Sequence, residues 1–450
     1  MPDFRAAPFL ALPLAALLAG CSLGSSVGST LGLTGDSNTQ SALSTGLAVG
    51  DEPFAVKTGT AILSQGGSAA DAVTAMFFAM SATYPVAAGL GGGGICLIAD
   101  PVKGVREFDF LPRAATSGGS YAVPGAVRGF YDLQAAFGTL PWQRTVSGGE
   151  AYAASGFPIS HALSARLANA QNSVRLDAAL AAEFMNENGT PRPEGAVATN
   201  LALSQTLAAI RLSGADGFYK GAVADALVRY SASQGGAISA ADLADYRTTV
   251  SAPRLMNQGG LSVAIPNAGT GAGTFAASLF ANAASGSNPE AAVVAAVRQS
   301  LAGFGISALP SDLGGTGFAA IDRNGQAATC AMTMNGAFGS ARSAGNSGVL
   351  LANAPSSPGG VAGAFLTPVI ARDGDGRATF AGVGAGGPNG TAAIAYALLK
   401  VASGQQMGRP ADLRSTGAAP MVTVNVISCQ TVCVALPDPG GHGLGDATIE

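Results

Sequence analysis

Histidine is nearly absent from this chain: 450 residues carry two, His161 and His442. A Ser-His-Asp relay, a histidine-rich zinc site or a chain of imidazole proton carriers is therefore disfavoured by composition alone. Charge is scarce as well. Acidic and basic residues make up 11% of the chain and the formal net charge is −4, with no Lys/Arg cluster. That leaves no basic surplus to neutralise a phosphate backbone, so no nucleic-acid partner is expected. Cysteine occurs five times, too few for a disulfide scaffold, and at spacings that form no recognisable metal site; neither a metal nor a cofactor is expected. What is present is apolar content of 48% and 64 glycines, the composition of a chain that folds. Its length fits about three average domains or one large core with insertions.

The first twenty residues carry Arg5 and then an apolar run broken by Pro8 and Pro13, too short to span a bilayer and typical of a secretion signal. The run ends Leu18-Ala19-Gly20-Cys21, which resembles the lipobox of bacterial lipoproteins, with Cys21 as the lipid-bearing residue. Residues 22–50 are rich in Ser, Gly and Thr with Asp36 as the sole charge, and read as a flexible tether. The expected location is the bacterial envelope, lipid-anchored, on the periplasmic face of the outer membrane. Of the four remaining cysteines, Cys96 and Cys330 lie in apolar strand-like runs and are expected as buried thiols. Cys429 and Cys433 flank Gln430-Thr431-Val432; a hairpin there would allow a disulfide, whereas one continuous strand would forbid it.

Residues 72–99 contain no charge, but the helix-like part ends at Pro85 after about 20 Å, short of a ~30 Å hydrocarbon core, so it is expected as a buried helix. Ser68 and Asp71 have capping-box spacing at its start, and Ser239 and Asp242 repeat the signal. Val127, Phe130, Leu133 and Phe137 recur at helical spacing, and residues 289–301 and 391–401 predict further helices. Asn324-Gly325 between β-patterned runs predicts a hairpin. A two-residue loop would set Thr316 opposite Thr333; a loop one residue longer would set Gly315 there. A second hairpin is expected around residues 373–376. The string Gly24-Ser25-Ser26-Val27-Gly28 matches a nucleophile elbow but lies in the tether. Gly382-Val383-Gly384-Ala385-Gly386-Gly387 runs from strand to helix without a second acidic-ended strand downstream; it suits an anion or an oxyanion better than a dinucleotide.

Taken in order, several segments resemble the γ-glutamyltranspeptidase family of N-terminal-nucleophile hydrolases. They are the stretch from Ile62 to Ala72, Gly91-Gly92-Gly93-Gly94, Val123-Pro124-Gly125, Leu140-Pro141-Trp142, Phe218-Tyr219-Lys220-Gly221 and Asp242-Leu243-Ala244-Asp245-Tyr246. The resemblance covers roughly residues 51–412. It implies an α+β fold, a four-layer αββα sandwich, made as a precursor that cuts itself before a Thr whose amine then acts as its base. It divides the chain into a signal (1–20), a lipidated tether (21–50), a large-subunit-like part (51–314), a small-subunit-like part (315–412) and a C-terminal extension (413–450).

The same resemblance places the nucleophile on Gly315, which has no side chain, and leaves Thr316 as the one nearby candidate. The substrate-carboxylate Arg falls on Leu111, with Arg113 two residues on. The amine-binding acid falls on Ser357, and two paired serines fall on Ala364 and Phe365. Thr333, Asn335, Gly386 and Gly387 match the family's substrate and oxyanion positions. The expected protein is a γ-glutamyltranspeptidase-like envelope lipoprotein with acyl transfer lost or reduced. Its ligand would be a small γ-glutamyl compound or amino acid, such as glutathione. The competing expectation is an active amide hydrolase that uses Thr316.

Overall fold

Ser68 opens the most deeply buried helix in the protein. In the computed structural model, which describes residues 46–267, 272–284, 288–304, 309–414 and 421–448, its hydroxyl accepts from Asp71 N while Asp71 Oδ2 accepts from Ser68 N. The helix so capped, α2 (Ala69–Thr83), is buried at every position. Two further first-turn amides are met from far along the chain: Ala69 N donates to Asp322 and Ala70 N to Gln326. Helices α1 (Pro53–Ser64), α2 and α3 (Ala126–Phe137) cover one sheet. No helix among the described residues is long and apolar enough to cross a membrane.

Leaving aside two-residue pairs, the strands are β1 (Leu47–Gly50), β2 (Gly93–Asp100), β3 (Gly104–Phe110), β4 (Thr249–Ser251), β5 (Arg254–Gln258) and β6 (Leu261–Ile265). They continue with β7 (Gly315–Ile321), β8 (Ala327–Thr333), β9 (Thr367–Arg372), β10 (Ala378–Ala385), β11 (Thr423–Cys429), β12 (Cys433–Leu436) and β13 (Leu444–Ala447). The first sheet runs β13-β1-β7-β8-β2-β3-β4 and the second β12-β11-β10-β9-β6-β5. Alternation along β7 explains the layering: Phe318 and Ala320 join the helix-facing core, while Ala319 and Ile321 pack between the sheets with Ile370, Ala381 and Ile427. Helices over residues 272–283, 289–304 and 388–402 cover the outer face of the second sheet. The result is the αββα sandwich. A ring ladder ties its first two layers together, Phe77 to Phe130 at 4.3 Å and Phe130 to Phe318 at 6.3 Å. Emptying its middle with Phe130→Ala would cost about 3–5 kcal/mol.

Several sequence expectations are corrected here. Cys96 and Cys330 are not free thiols; they face each other across β2 and β8 and form a disulfide. The sequence showed two apolar runs, and only their pairing brings the sulfurs together. The tether does not reach residue 50, because Leu47–Gly50 is a fully buried strand that completes the first sheet beside β7. Residues 413–450 are no appendage: β11 pairs with β10 inside the second sheet and β13 closes an edge of the first. The Asn324-Gly325 turn is one residue longer than the tight form. The Asp322 carboxylate captures the amides of Asn324 and Gln326, and Asp322 N donates to Gln326 O. That sets Gly315 opposite Thr333. Around the other turn, β11 and β12 pair with Cys429 opposite Cys433, and the two are joined by a disulfide. The signal segment, Cys21 and the tether up to residue 45 lie outside the described residues.

Candidate active site

The start of β7 is where the resemblance puts the chemistry, and its backbone is held from several directions. Gly314, at φ +61°, turns the chain into the strand, and a Cβ there would stand 2.0 Å from Gly336 O. Leu313 O accepts from Gly336 N, and Gly314 O accepts from Met334 N. Arg166, on helix α4 (His161–Val174), donates to Gly315 O at 3.1 Å and forms a buried ion pair with Asp312. Burial works against the Arg166 charge, but Asp312 and Tyr84 together more than offset it, so the guanidinium is held above its usual pKa. Its carbon plane lies over the Tyr84 ring at 5.4 Å, and burial pushes that phenol up.

A side chain at position 315 would point at the glycine loop after β10. Its Cβ would stand 3.0 Å from Gly386 N and 3.5 Å from Ala385 Cβ. Gly386 and Gly387 have φ of +84° and +108°, and a Cβ on Gly386 would collide with Met421 O, so the loop requires glycine at the N-terminus of α5 (Pro388–Ala402). Strand alternation turns the next residue away. Thr316 is fully buried, and its hydroxyl donates to Asp51 Oδ2 at 2.6 Å. Asp51, just beyond β1, also accepts from the Thr423 hydroxyl at 2.5 and 2.7 Å and from Asn425 Nδ2 at 2.7 Å. Its neighbour Glu52 accepts from the Ser160 hydroxyl and Phe54 N, and burial pushes its carboxyl up to about 8.

The remaining predicted residues divide. Thr333 pairs with Gly315; its hydroxyl donates to Leu313 O and accepts from Asn335 N. Asn335, at φ +55°, donates to Asn353 O. Arg113 is exposed, lies over the Tyr246 ring at 4.8 Å and donates to Thr249. Leu111 is half-buried, and the Ser357 hydroxyl is buried without a partner among the described residues. A cavity of about 390 Å³ meets the strand start, lined by Gly315, Asp51, Tyr84, Arg166, Asn169 and His442. His442, in this lining, lies 4.0 Å centroid to centroid from His161, the two rings tilted at 59°. Thr316, Arg113, Thr333, Asn335 and the two loop glycines do not line it. Asp51, Arg166 and Asp312 were missed by sequence reasoning; nothing in their immediate sequence marks them.

The sequence model of γ-glutamyltranspeptidase matches residues 55–281, half of the chain. The chain belongs to the γ-glutamyltranspeptidase family. Among curated members it is similar to a glutathione hydrolase proenzyme of Pseudomonas sp. (strain A14), 33% identical over 229 residues, 46% of this chain and 40% of that protein. It is also similar to the acylase ACY 1 proenzyme of Pseudomonas sp. (strain SE83), 31% identical over 237 residues, 47% of this chain and 42% of that protein. The chain thus spans about two-fifths of the length of the curated relatives it matches. Among solved structures, cephalosporin acylase from Bacillus halodurans matches 90% of this chain and 96% of its own, with TM-score 0.68 and 16% identity, a likeness of fold. The family match ends before β7, so it does not extend to Gly315 and Thr316.

Proposed function

We propose that this chain is a γ-glutamyltranspeptidase-type protein in which acyl transfer is lost or much reduced, carried on the envelope by a lipid on Cys21. One observation carries the reading: the position that faces the Gly386-Gly387 amides is a glycine, while the adjacent hydroxyl, Thr316, is buried and committed to Asp51. Self-cleavage of a precursor needs a side-chain oxygen at the new N-terminus to attack the preceding carbonyl, and Gly315 has none. The clamp for a substrate carboxylate is weakened too, since Leu111 stands at its position and Arg113 is engaged by Tyr246 and Thr249. Such a site could still hold a small γ-glutamyl or amino-acid ligand. A second reading draws support from the same hydrogen bond. A carboxylate 2.6 Å from a threonine hydroxyl is a base beside a nucleophile, and Asp51 borders the cavity. The test is a denaturing gel of the purified protein with N-terminal sequencing of every band, and hydrolysis of a γ-glutamyl anilide. A single chain without Thr316-dependent turnover is expected. A second chain beginning at Thr316, with hydrolysis abolished by Thr316→Ala, would replace the first reading by the second.

A further inference from the structure

Six residues further along β7, about 20 Å from Gly315 at the rise of an extended strand, the sandwich ends in a second cavity of about 370 Å³. It lies between the turns of two hairpins, residues 322–326 from the first sheet and 373–377 from the second. Its apolar lining is where the inter-sheet core comes to the surface: Leu47, Ile321, Ala378 and the half-buried Cys429–Cys433 disulfide. Five ionisable side chains also line it. Three are already matched: Asp322 by the amides of Ala69, Asn324 and Gln326, and Arg377 by Asp373 and by the third, Asp375. Two are not. Arg323 and the half-buried Arg372 make no side-chain hydrogen bond or ion pair among the described residues. The register of β9 against β10 shifts between Ala371 and Arg372, the kind of irregularity that re-aims a side chain at a sheet end.

Two unmatched arginines, the half-buried Arg372 in the lining and the exposed Arg323 at the mouth with its guanidinium swung toward Gly66, stand beside an apolar floor and ask for a ligand with both features. Guanidinium binds carboxylate or phosphate oxygens through paired N–H donors, and the floor has no polar requirement a tail would leave unmet. The geometry points to a binding site for a single-chain anionic amphiphile, its headgroup on Arg323 and Arg372 and its tail over the disulfide and the ends of β1 and β7. The site is remote from Gly315 and does not depend on whether acyl transfer survives.

The test is calorimetric titration of the purified protein at low salt with decanoate, decyl phosphate, uncharged decyl maltoside, acetate and inorganic phosphate. At least one ten-carbon anion is expected to bind, and its ranking against the other identifies the headgroup. Decyl maltoside, acetate and inorganic phosphate should each bind at least tenfold more weakly. The pair Arg323→Gln and Arg372→Gln should weaken binding of the anion at least tenfold; neither residue bonds to another described side chain, so the fold loses nothing. Arg377→Gln, whose charge is already matched, should change affinity by less than twofold. Absence of binding by both ten-carbon anions, equal binding of the uncharged amphiphile, indifference to the double substitution, or binding to anionic vesicles without binding of the monomeric anions would each overturn the assignment.

Discussion

Whether Thr316 is a structural hydroxyl or a reactive one can be decided by its coupling to Asp51. Asp51 is buried and accepts hydrogen bonds from Thr316, Thr423 and Asn425. With Thr316→Val, Asp51 keeps two donors, so the loss is one hydrogen bond to a charged acceptor, about 1.5–3 kcal/mol. With Asp51→Ala, Asn425 Nδ2 still has Gly317 O, but the hydroxyls of Thr316 and Thr423 lose the carboxylate. Two buried orphans at about 1–3 kcal/mol each make roughly 2–6 kcal/mol. In the double variant the Thr316 orphan no longer exists. On the Asp51→Ala background Thr316→Val should then recover about 1–3 kcal/mol instead of costing stability, a coupling of about 2.5–6 kcal/mol measured by urea denaturation of the four proteins. Independent, additive losses, or a Thr316→Val variant as stable as the parent, would refute the structural role assigned to this hydroxyl.

The two disulfides should differ in worth. Loop-closure entropy gives about 5 kcal/mol for the 234-residue separation of Cys96 and Cys330 and about 2 for the 4-residue separation of Cys429 and Cys433, so alanine replacement of the first pair should lower the urea midpoint more. Burial pushes the Glu52 carboxyl up to about 8 from the 4.5 of an exposed glutamate, so its contribution to stability is full below pH 4.5 and lost as pH rises through 8. Glu52→Gln should therefore flatten the fall in Tm between pH 5 and 8.5, and a steeper fall would contradict the assignment. Cys21→Ala should move the protein from the membrane to the soluble fraction, and unchanged membrane retention would remove the anchor.

What could be read from the sequence is what is local. Ser68 and Asp71 are three residues apart, and the helix they cap was visible from that spacing. The hairpin around Asn324-Gly325 was visible too, but its length was not, because it turns on which amides the Asp322 carboxylate captures. One residue of difference there decides whether Gly315 or Thr316 faces Thr333, and with it which residue points at the glycine loop. The Asp51 hub was illegible for a different reason. Its partners lie 265, 372 and 374 residues away, so no pattern window contains them. The same distance hid Cys96 from Cys330 and placed residues 423–429, read as an extension, inside the second sheet beside β10.

The restraints on the segment before β7 bear on the proposed loss of a nucleophile. A chain that is cut before position 315 releases the preceding residues, so contacts that grip them would oppose the product state. Here the grip is strong: Arg166 holds Asp312 and Gly315 O, Thr333 and Gly336 both donate to Leu313 O, and Met334 donates to Gly314 O. Breaking a buried ion pair of the Arg166–Asp312 kind by removing one partner costs about 3–5 kcal/mol, because the other charge is left in the interior. Under the proposed reading, in which the chain is not cut, those residues serve the continuous chain. The proposal that the chain stays whole therefore assigns the glycine at 315 and the buried pair at Arg166–Asp312 to one state, with the strand entry held as structure at the position where the family resemblance places a cut.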